Sequence, residues 1–182
     1  MIGGKIITTK GTLYLVATPI GNLKDFSYRG VEVLNQVDFV LAENTHKTRI
    51  LFERFNIKNK ISLFNDFSSK KEINILVKKI LNGQNIALVS DAGTPLISDP
   101  GSELVKAILK EHIKIVPIPG PSSPISALVA SGLSAEKFSF HGFLPKKNGE
   151  LKNFLEEINF DKKTQIFFES PKRIKKTLLI FQ

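Results

Sequence analysis

Five short apolar runs alternate with amphipathic stretches over residues 12–118, and this alternation constrains the fold more than any other feature. The predicted strands are residues 12–18, 38–42, 61–64, 85–90 and 113–118. The predicted helices between them are residues 28–36, 47–55, 68–81 and 101–111, where apolar residues recur at helical spacing. Strands that alternate with helices predict a parallel sheet covered by helices.

Two of these helices have clear sequence signals. The helix over residues 68–81 is expected to start at Ser68 as N-cap, with Glu72 close to the capping-box position, and to end at Asn82-Gly83. In the helix over residues 101–111, the spacing predicts four inward-facing residues. These are Leu104, Val105, Ile108 and Leu109.

A stiff segment at residues 117–124, with four prolines and one glycine, is the predicted domain boundary. Beyond it the pattern predicts helices over 125–131, 151–159 and from 171 onward, and strands over 138–143 and 165–169. The fold class is therefore α/β, with a parallel-sheet N-terminal domain over 1–117 and a second α/β domain over 118–182. Two strands would leave open sheet edges, so we expect this second domain to be incomplete.

The charge and composition of the chain limit the classes of molecule that it is expected to bind. The net charge of +9 favours an anionic partner, above all nucleic acid. The alternative is compositional drift, since lysine, isoleucine, asparagine and phenylalanine are the residues that AT-rich codons supply. The chain has no cysteine, which excludes disulfides and thiolate metal sites.

Several common sites and targeting signals are not indicated. Residues 1–11 lack the apolar core of a signal peptide, and no apolar run approaches the roughly 18 residues of a membrane span. There is no G-x-G-x-x-G after the first strand and no P-loop motif. His46, His112 and His141 do not have metal-ligand spacing. We expect a cytoplasmic protein with no metal and no membrane association.

Three loops rich in glycine and proline follow predicted strands, at residues 18–23, 91–101 and 119–123. Ligands of parallel sheets bind at the carboxyl ends of the strands. Glycine there lets the backbone approach a ligand, and Asp91 could accept hydrogen bonds from a ribose or an amine. Taken one at a time, each loop is better explained as an ordinary turn than as a binding site.

The sequences of the motifs and their order along the chain are more specific than any single loop. The chain carries, in order, T-P-I-G-N-L, A-E-N-T, V-S-D-A-G-T-P-L-I-S-D-P-G, P-G-P-S-S, G-F-L-P and F-F-E-S-P-K-R. From Gly11 to Arg173 it resembles the family of ribosomal RNA small subunit methyltransferase I, in the tetrapyrrole methylase superfamily. Members extend beyond the position of Gln182, so the resemblance implies a C-terminally truncated chain.

The resemblance implies two α/β domains with S-adenosylmethionine bound in the cleft between them. It also implies methylation of the ribose 2′-hydroxyl of a cytidine in the decoding region of small-subunit (16S) ribosomal RNA. The partner would be that RNA or the assembled small subunit, and the enzyme a homodimer. By motif position, the cofactor-binding residues would be Pro19, Gly21, Asp91, Ala92, Gly93, Thr94, Ile97, Ser98, Asp99, Ser122 and Ser123.

A weakly acidic hydroxyl needs a base or a cation nearby when it attacks a methyl group. The candidates are Glu43 and Asn44, with Lys47 and Arg49 as phosphate or oxyanion partners. The family usually has A-E-D-T-R where this chain has Ala42-Glu-Asn-Thr-His46, so an amide replaces one carboxylate. Two alternatives stay open: a tetrapyrrole methyltransferase of the same superfamily, or an inactive truncated remnant.

Overall fold

The computed structural model describes residues 9–181. Residues 1–8, on which the absence of a signal peptide was partly judged, and residue 182 lie outside this range. The described residues form two compact units, one ending at Ser122 and the other beginning at Ser123. The expected domains over 1–117 and 118–182, with a cleft between them, stay a prediction.

The first unit is a five-stranded parallel sheet with four α-helices. Its strands are β1 (Thr12–Val16), β2 (Phe39–Ala42), β3 (Ile61–Leu63), β4 (Ile86–Val89) and β5 (Lys114–Ile118). Its helices are α1 (Tyr28–Gln36), α2 (Thr45–Arg54), α3 (Lys70–Leu81) and α4 (Ser102–Lys110). The strand order is β3-β2-β4-β1-β5, with every neighbouring pair parallel. The predicted α/β class with a parallel sheet is confirmed.

Successive residues of the central strands serve opposite faces of the sheet, as the pleat requires. In β4, Ile86 and Leu88 join a core cluster with α3 and α4. Ala87 and Val89 join a second cluster with α1 and α2. Because both faces are covered, all four residues of β4 are buried and the strand is apolar throughout.

The N-cap of α3 and the buried face of α4 differ from the prediction. The N-cap of α3 is Ser69, not Ser68, and its hydroxyl and the Glu72 carboxylate form a reciprocal capping box. The hydroxyl of Ser68 accepts instead from the backbone N–H of Asn65. In α4, Leu104 and Ile108 are fully buried and Val105 packs against them, but Leu109 is 57% exposed. The predicted apolar stripe was one residue too wide.

The second unit contains two parallel strands and three helices. They are α5 (Ser123–Ser131), β6 (Phe138–Phe143), α6 (Asn148–Ile158), β7 (Thr164–Phe168) and α7 (Ile174–Ile180). The rings of Phe140 and Phe168 meet edge to face across the strand pair. Arg173 ties the start of α7 to the end of β6 by donating to the backbone carbonyls of Leu144 and Pro145. Within the described part of the chain, no helix has the length and apolar character needed to cross a membrane.

Candidate functional site

The three predicted loops come together at the carboxyl edge of the first unit's sheet. After β1, the N–H of Thr18 donates to the carbonyl of Gly93 over 2.9 Å, and the N–H of Gly93 donates back to Thr18 over 3.0 Å. The hydroxyl of Thr94 donates to the carbonyl of Pro121, after β5, over 3.1 Å. Residues far apart in sequence therefore surround one edge, because parallel strands all end on the same side.

The loop after β4 has an unusual backbone. Gly93 and Gly101 have φ angles of +87° and +125°, which glycine adopts readily. Leu96 and Ser98 have φ angles of +75° and +62°, although side chains disfavour this region. Strained backbone of this kind concentrates at functional sites, where the surrounding structure holds it in place.

Asp91 lies at the centre of this edge. Its Oδ2 forms an ion pair with the ammonium group of Lys47 on α2, at a distance of 2.7 Å. Its Oδ1 is buried and accepts no hydrogen bond from any described residue. A buried acceptor without a donor costs roughly 1–3 kcal/mol, so this atom is suited to a ligand that donates.

A cavity of about 220 Å³ adjoins Asp91. It is bounded by the loop after β1, the loop after β4 and one face of α2. Its lining residues are Thr18, Pro19, Leu23, Lys47, Thr48, Ile50, Leu51, Ser90 and Asp91.

Carboxylates are concentrated at this edge, and they affect one another. The pKa of Glu43 is raised, first by burial and then by the negative charges of Asp91 and Asp99. The pKa of Asp99 is also raised, again mainly by burial, although the nearby Ser90 side chain opposes this. The charge of Asp66, in the loop after β3, contributes to both shifts. The pKa of Lys47 is raised by its hydrogen bond to Asp91.

The structure brings two of the four catalytic candidates to Asp91. Glu43 and Lys47 both interact with it. Asn44 is the N-cap of α2, where its Oδ1 accepts from the backbone N–H groups of His46 and Lys47. Asparagine and aspartate are about equally good N-caps, so the amide at this position keeps the helix start intact. Arg49 lines a different cavity, together with Phe52, Glu53, Asn56, Ile57, Asn59 and Ile61.

The expected cofactor residues have different surroundings. A Cβ added at Gly93 would lie 3.4 Å from the side chain of Ile20, beside Gly21, and Gly21 itself is exposed. Ala92, Ile97 and Ser98 are exposed, whereas Asp99 is half-buried. Ser122 ends the first unit and Ser123 is the first residue of α5, so their part in a site stays a prediction.

Thr18, Ser90 and Asp66 are among the residues at this edge that were not predicted as site residues. Thr18 and Ser90 are buried hydroxyl residues at the ends of apolar strands, which is the signal that could have identified them. Asp66 acts only through its charge, and nothing in its local sequence indicates this.

Glu43 is expected to destabilise the fold at neutral pH. A raised pKa means that the ionised side chain is less favourable in the folded chain than in the unfolded one. The stability associated with protonated Glu43 is complete below the ordinary value of 4.5 and is lost as pH rises through the raised folded value. We therefore expect Glu43→Gln to raise the melting temperature near pH 7 and to leave it almost unchanged in acid.

Thermal melts of the two proteins across this pH range measure the effect. The matched control is Glu53→Gln, because Glu53 lies on α2, the helix that follows Glu43, and is exposed. A neutral-pH gain of the same size in both variants would contradict the role of burial and of neighbouring carboxylates at position 43.

Curated relatives of this chain carry the name of an RNA-modifying enzyme. A ribosomal RNA small subunit methyltransferase I of Streptococcus pyogenes serotype M3 is 48% identical over 170 residues, 93% of this chain and 59% of the relative. The protein of the same name from Haemophilus influenzae is 46% identical, over 92% of this chain and 59% of the relative. The chain thus spans about three fifths of the length of the curated relatives it matches.

Solved structures share the fold at lower identity. Diphthine synthase superimposes with a TM-score of 0.65 at 16% identity, covering 88% of this chain and 66% of that protein. Uroporphyrin-III-C-methyltransferase from Thermus thermophilus superimposes with a TM-score of 0.58 at 21% identity, covering 81% and 72%. The family model described as Tetrapyrrole (Corrin/Porphyrin) Methylases matches residues 12–182, and the chain therefore belongs to the tetrapyrrole methylase family.

Proposed function

We propose that this chain binds S-adenosylmethionine at the carboxyl edge of its five-stranded sheet and methylates small-subunit ribosomal RNA. The acceptor is the ribose 2′-hydroxyl of a cytidine in the decoding region, in the free RNA or in the assembled subunit. The chain acts in the cytoplasm as a homodimer. The observation that carries the proposal is the 46–48% identity to relatives named ribosomal RNA small subunit methyltransferase I.

The residues at the sheet edge fit S-adenosylmethionine. The buried, unpaired Oδ1 of Asp91 needs a donor, and the cofactor carries ribose hydroxyls and an ammonium group. The cofactor is also a sulfonium cation. The carboxylates of Glu43, Asp66, Asp91 and Asp99 give this edge a negative potential that attracts a cation. Gly93 and Thr94 would hold the ligand from the same loop.

The cofactor would supply the activated methyl group, and the protein would supply position and proton transfer. Glu43 is our candidate base, because its raised pKa makes its carboxylate a better proton acceptor than an ordinary glutamate. Lys47 neutralises one oxygen of Asp91 and keeps the other available. Asn44 follows Glu43 and caps α2, the helix that carries Lys47, and so fixes where this helix begins.

A labelled-methyl assay tests the proposal. The purified chain is incubated with S-adenosylmethionine and either small ribosomal subunits from cells that lack this modification or a porphyrinogen. We expect the label to enter the RNA and digestion to nucleosides to yield 2′-O-methylcytidine.

Two results would overturn the proposal. Label in the porphyrinogen alone would assign the chain to tetrapyrrole methylation. A folded chain that binds no S-adenosylmethionine in calorimetry would leave it as an inactive remnant.

A further inference from the structure

Two buried hydroxyl groups lie directly behind the loop that carries Asp91. Thr18 is 3% exposed and Ser90 is 5% exposed, at the ends of β1 and β4. The strands themselves are already held by the parallel ladder, in which Val16 pairs with Val89. The hydroxyls are therefore not needed to build the sheet. Their contacts are made just after the strands end.

These contacts converge on the backbone on either side of Asp91. The hydroxyl of Thr18 donates to the carbonyl of Ser90 over 3.2 Å, and that of Ser90 donates to the carbonyl of Gly93 over 3.3 Å. The same Gly93 carbonyl accepts the N–H of Thr18. Residues 90 and 93 are thus both fastened to the end of β1, and Asp91 lies between them.

The direction of the Asp91 carboxylate depends on this backbone. Lys47 holds Oδ2, but Lys47 is 58% exposed at its side chain, so an exposed ion pair alone fixes the carboxylate weakly. The buried hydroxyl contacts are shielded from water and hold their geometry better. They leave Oδ1 buried and free of any described donor.

We propose that Thr18 and Ser90 are positioning residues that hold the segment from Ser90 to Gly93 so that Asp91 presents Oδ1 to S-adenosylmethionine. This inference rests on the proposed function of the same site. Neither hydroxyl needs to touch the cofactor, because each acts through the backbone that carries Asp91.

Substitutions that remove only the hydroxyl test the inference. Thr18→Val keeps the shape of the side chain, Ser90→Ala shortens it by one atom, and Thr18→Ser keeps the hydroxyl. With S-adenosylmethionine titrated in a calorimeter, we expect Thr18→Val and Ser90→Ala each to weaken binding about tenfold, the effect of about 1.4 kcal/mol. Thr18→Ser should bind within about twofold of the unsubstituted chain.

A second measurement does not depend on the cofactor. Amide hydrogen exchange reports how firmly the N–H of Gly93 is held by Thr18. We expect exchange at Gly93 to become faster in Thr18→Val and to stay near the original rate in Thr18→Ser.

The control separates positioning from general loss of stability. Asn59 donates to the carbonyls of Leu34 and Val37 over 2.8 and 2.7 Å, ahead of β2 and so at the opposite edge of the sheet. Asn59→Ala should lower the melting temperature without changing cofactor affinity.

Three outcomes overturn the inference: unchanged affinity in Thr18→Val and Ser90→Ala, equal losses in Thr18→Val and Thr18→Ser, or a comparable loss in Asn59→Ala. If the unsubstituted chain binds no S-adenosylmethionine, the proposed function fails. Unchanged exchange at Gly93 in Thr18→Val would then reject the positioning role separately.

Discussion

Asp91→Asn is expected to weaken S-adenosylmethionine binding by between about tenfold and a hundredfold, the loss of one charge-assisted hydrogen bond. The substitution removes the negative charge of the carboxylate, which includes the buried Oδ1, and it breaks the ion pair with Lys47. Because an amide has nearly the same shape as a carboxylate, the loop after β4 should keep its fold. Calorimetric titration with the cofactor measures the loss, and a thermal melt verifies that the variant is folded.

Asp38→Asn is the matched control for this prediction. Asp38 lies just before β2, and its Oδ2 accepts the backbone N–H of Asn85 over 2.7 Å at the amino edge of the sheet. The same substitution there should lower the stability of the fold and leave the affinity for S-adenosylmethionine unchanged. Equal affinities for the Asp91→Asn variant and the unsubstituted chain would remove Asp91 from the site.

Leu104→Ala is expected to destabilise the first unit by about 2–5 kcal/mol. Leu104 is fully buried in α4 and belongs to the core cluster between α3, α4 and the sheet. Truncation removes buried methyl groups and leaves a cavity that the surrounding strands cannot close, because β4 and β1 are fixed by neighbours on both sides. Urea denaturation measures the change in the free energy of unfolding.

Leu109→Ala, on the same helix, provides the comparison. Its side chain is 57% exposed, so the same truncation should cost less than about 1 kcal/mol, in the range of surface substitutions. Comparable losses at positions 104 and 109 would mean that α4 is rotated relative to the orientation described above.

The alternation of strands and helices could be predicted because it depends on local patterns. Strands such as β4 are buried on both faces and so appear as unbroken apolar runs, which are easily recognised. Helices such as α3 carry a repeating apolar stripe and end at an Asn-Gly pair. Each of these signals is contained within a short stretch of sequence.

Single positions were harder to predict, for two physical reasons. Ser68 and Ser69 are both competent caps, and the choice between them depends on where the preceding loop fixes the backbone. Leu104 and Leu109 both fit an apolar stripe, and which of them is buried depends on how α4 packs against α3 and the sheet.

The candidate site was partly predictable. The motif sequences identified the three loops. The structure brings Asp91, Gly93 and Thr94 together with the neighbouring loops. It also places Arg49 at a separate cavity, which no local signal would indicate. Asp66 was missed because its effect on Glu43 is a through-space interaction between different loops.

The sequence by itself determined the α/β class, the elements of the first unit and the family, because short-range patterns and motif wording carry that information. Only the tertiary structure decided the strand order β3-β2-β4-β1-β5 and the pairing of Thr18 with Ser90 and Gly93. Those arrangements depend on contacts between residues some seventy positions apart. Such contacts form only when the packed layers fix where each strand ends, so local sequence does not specify them.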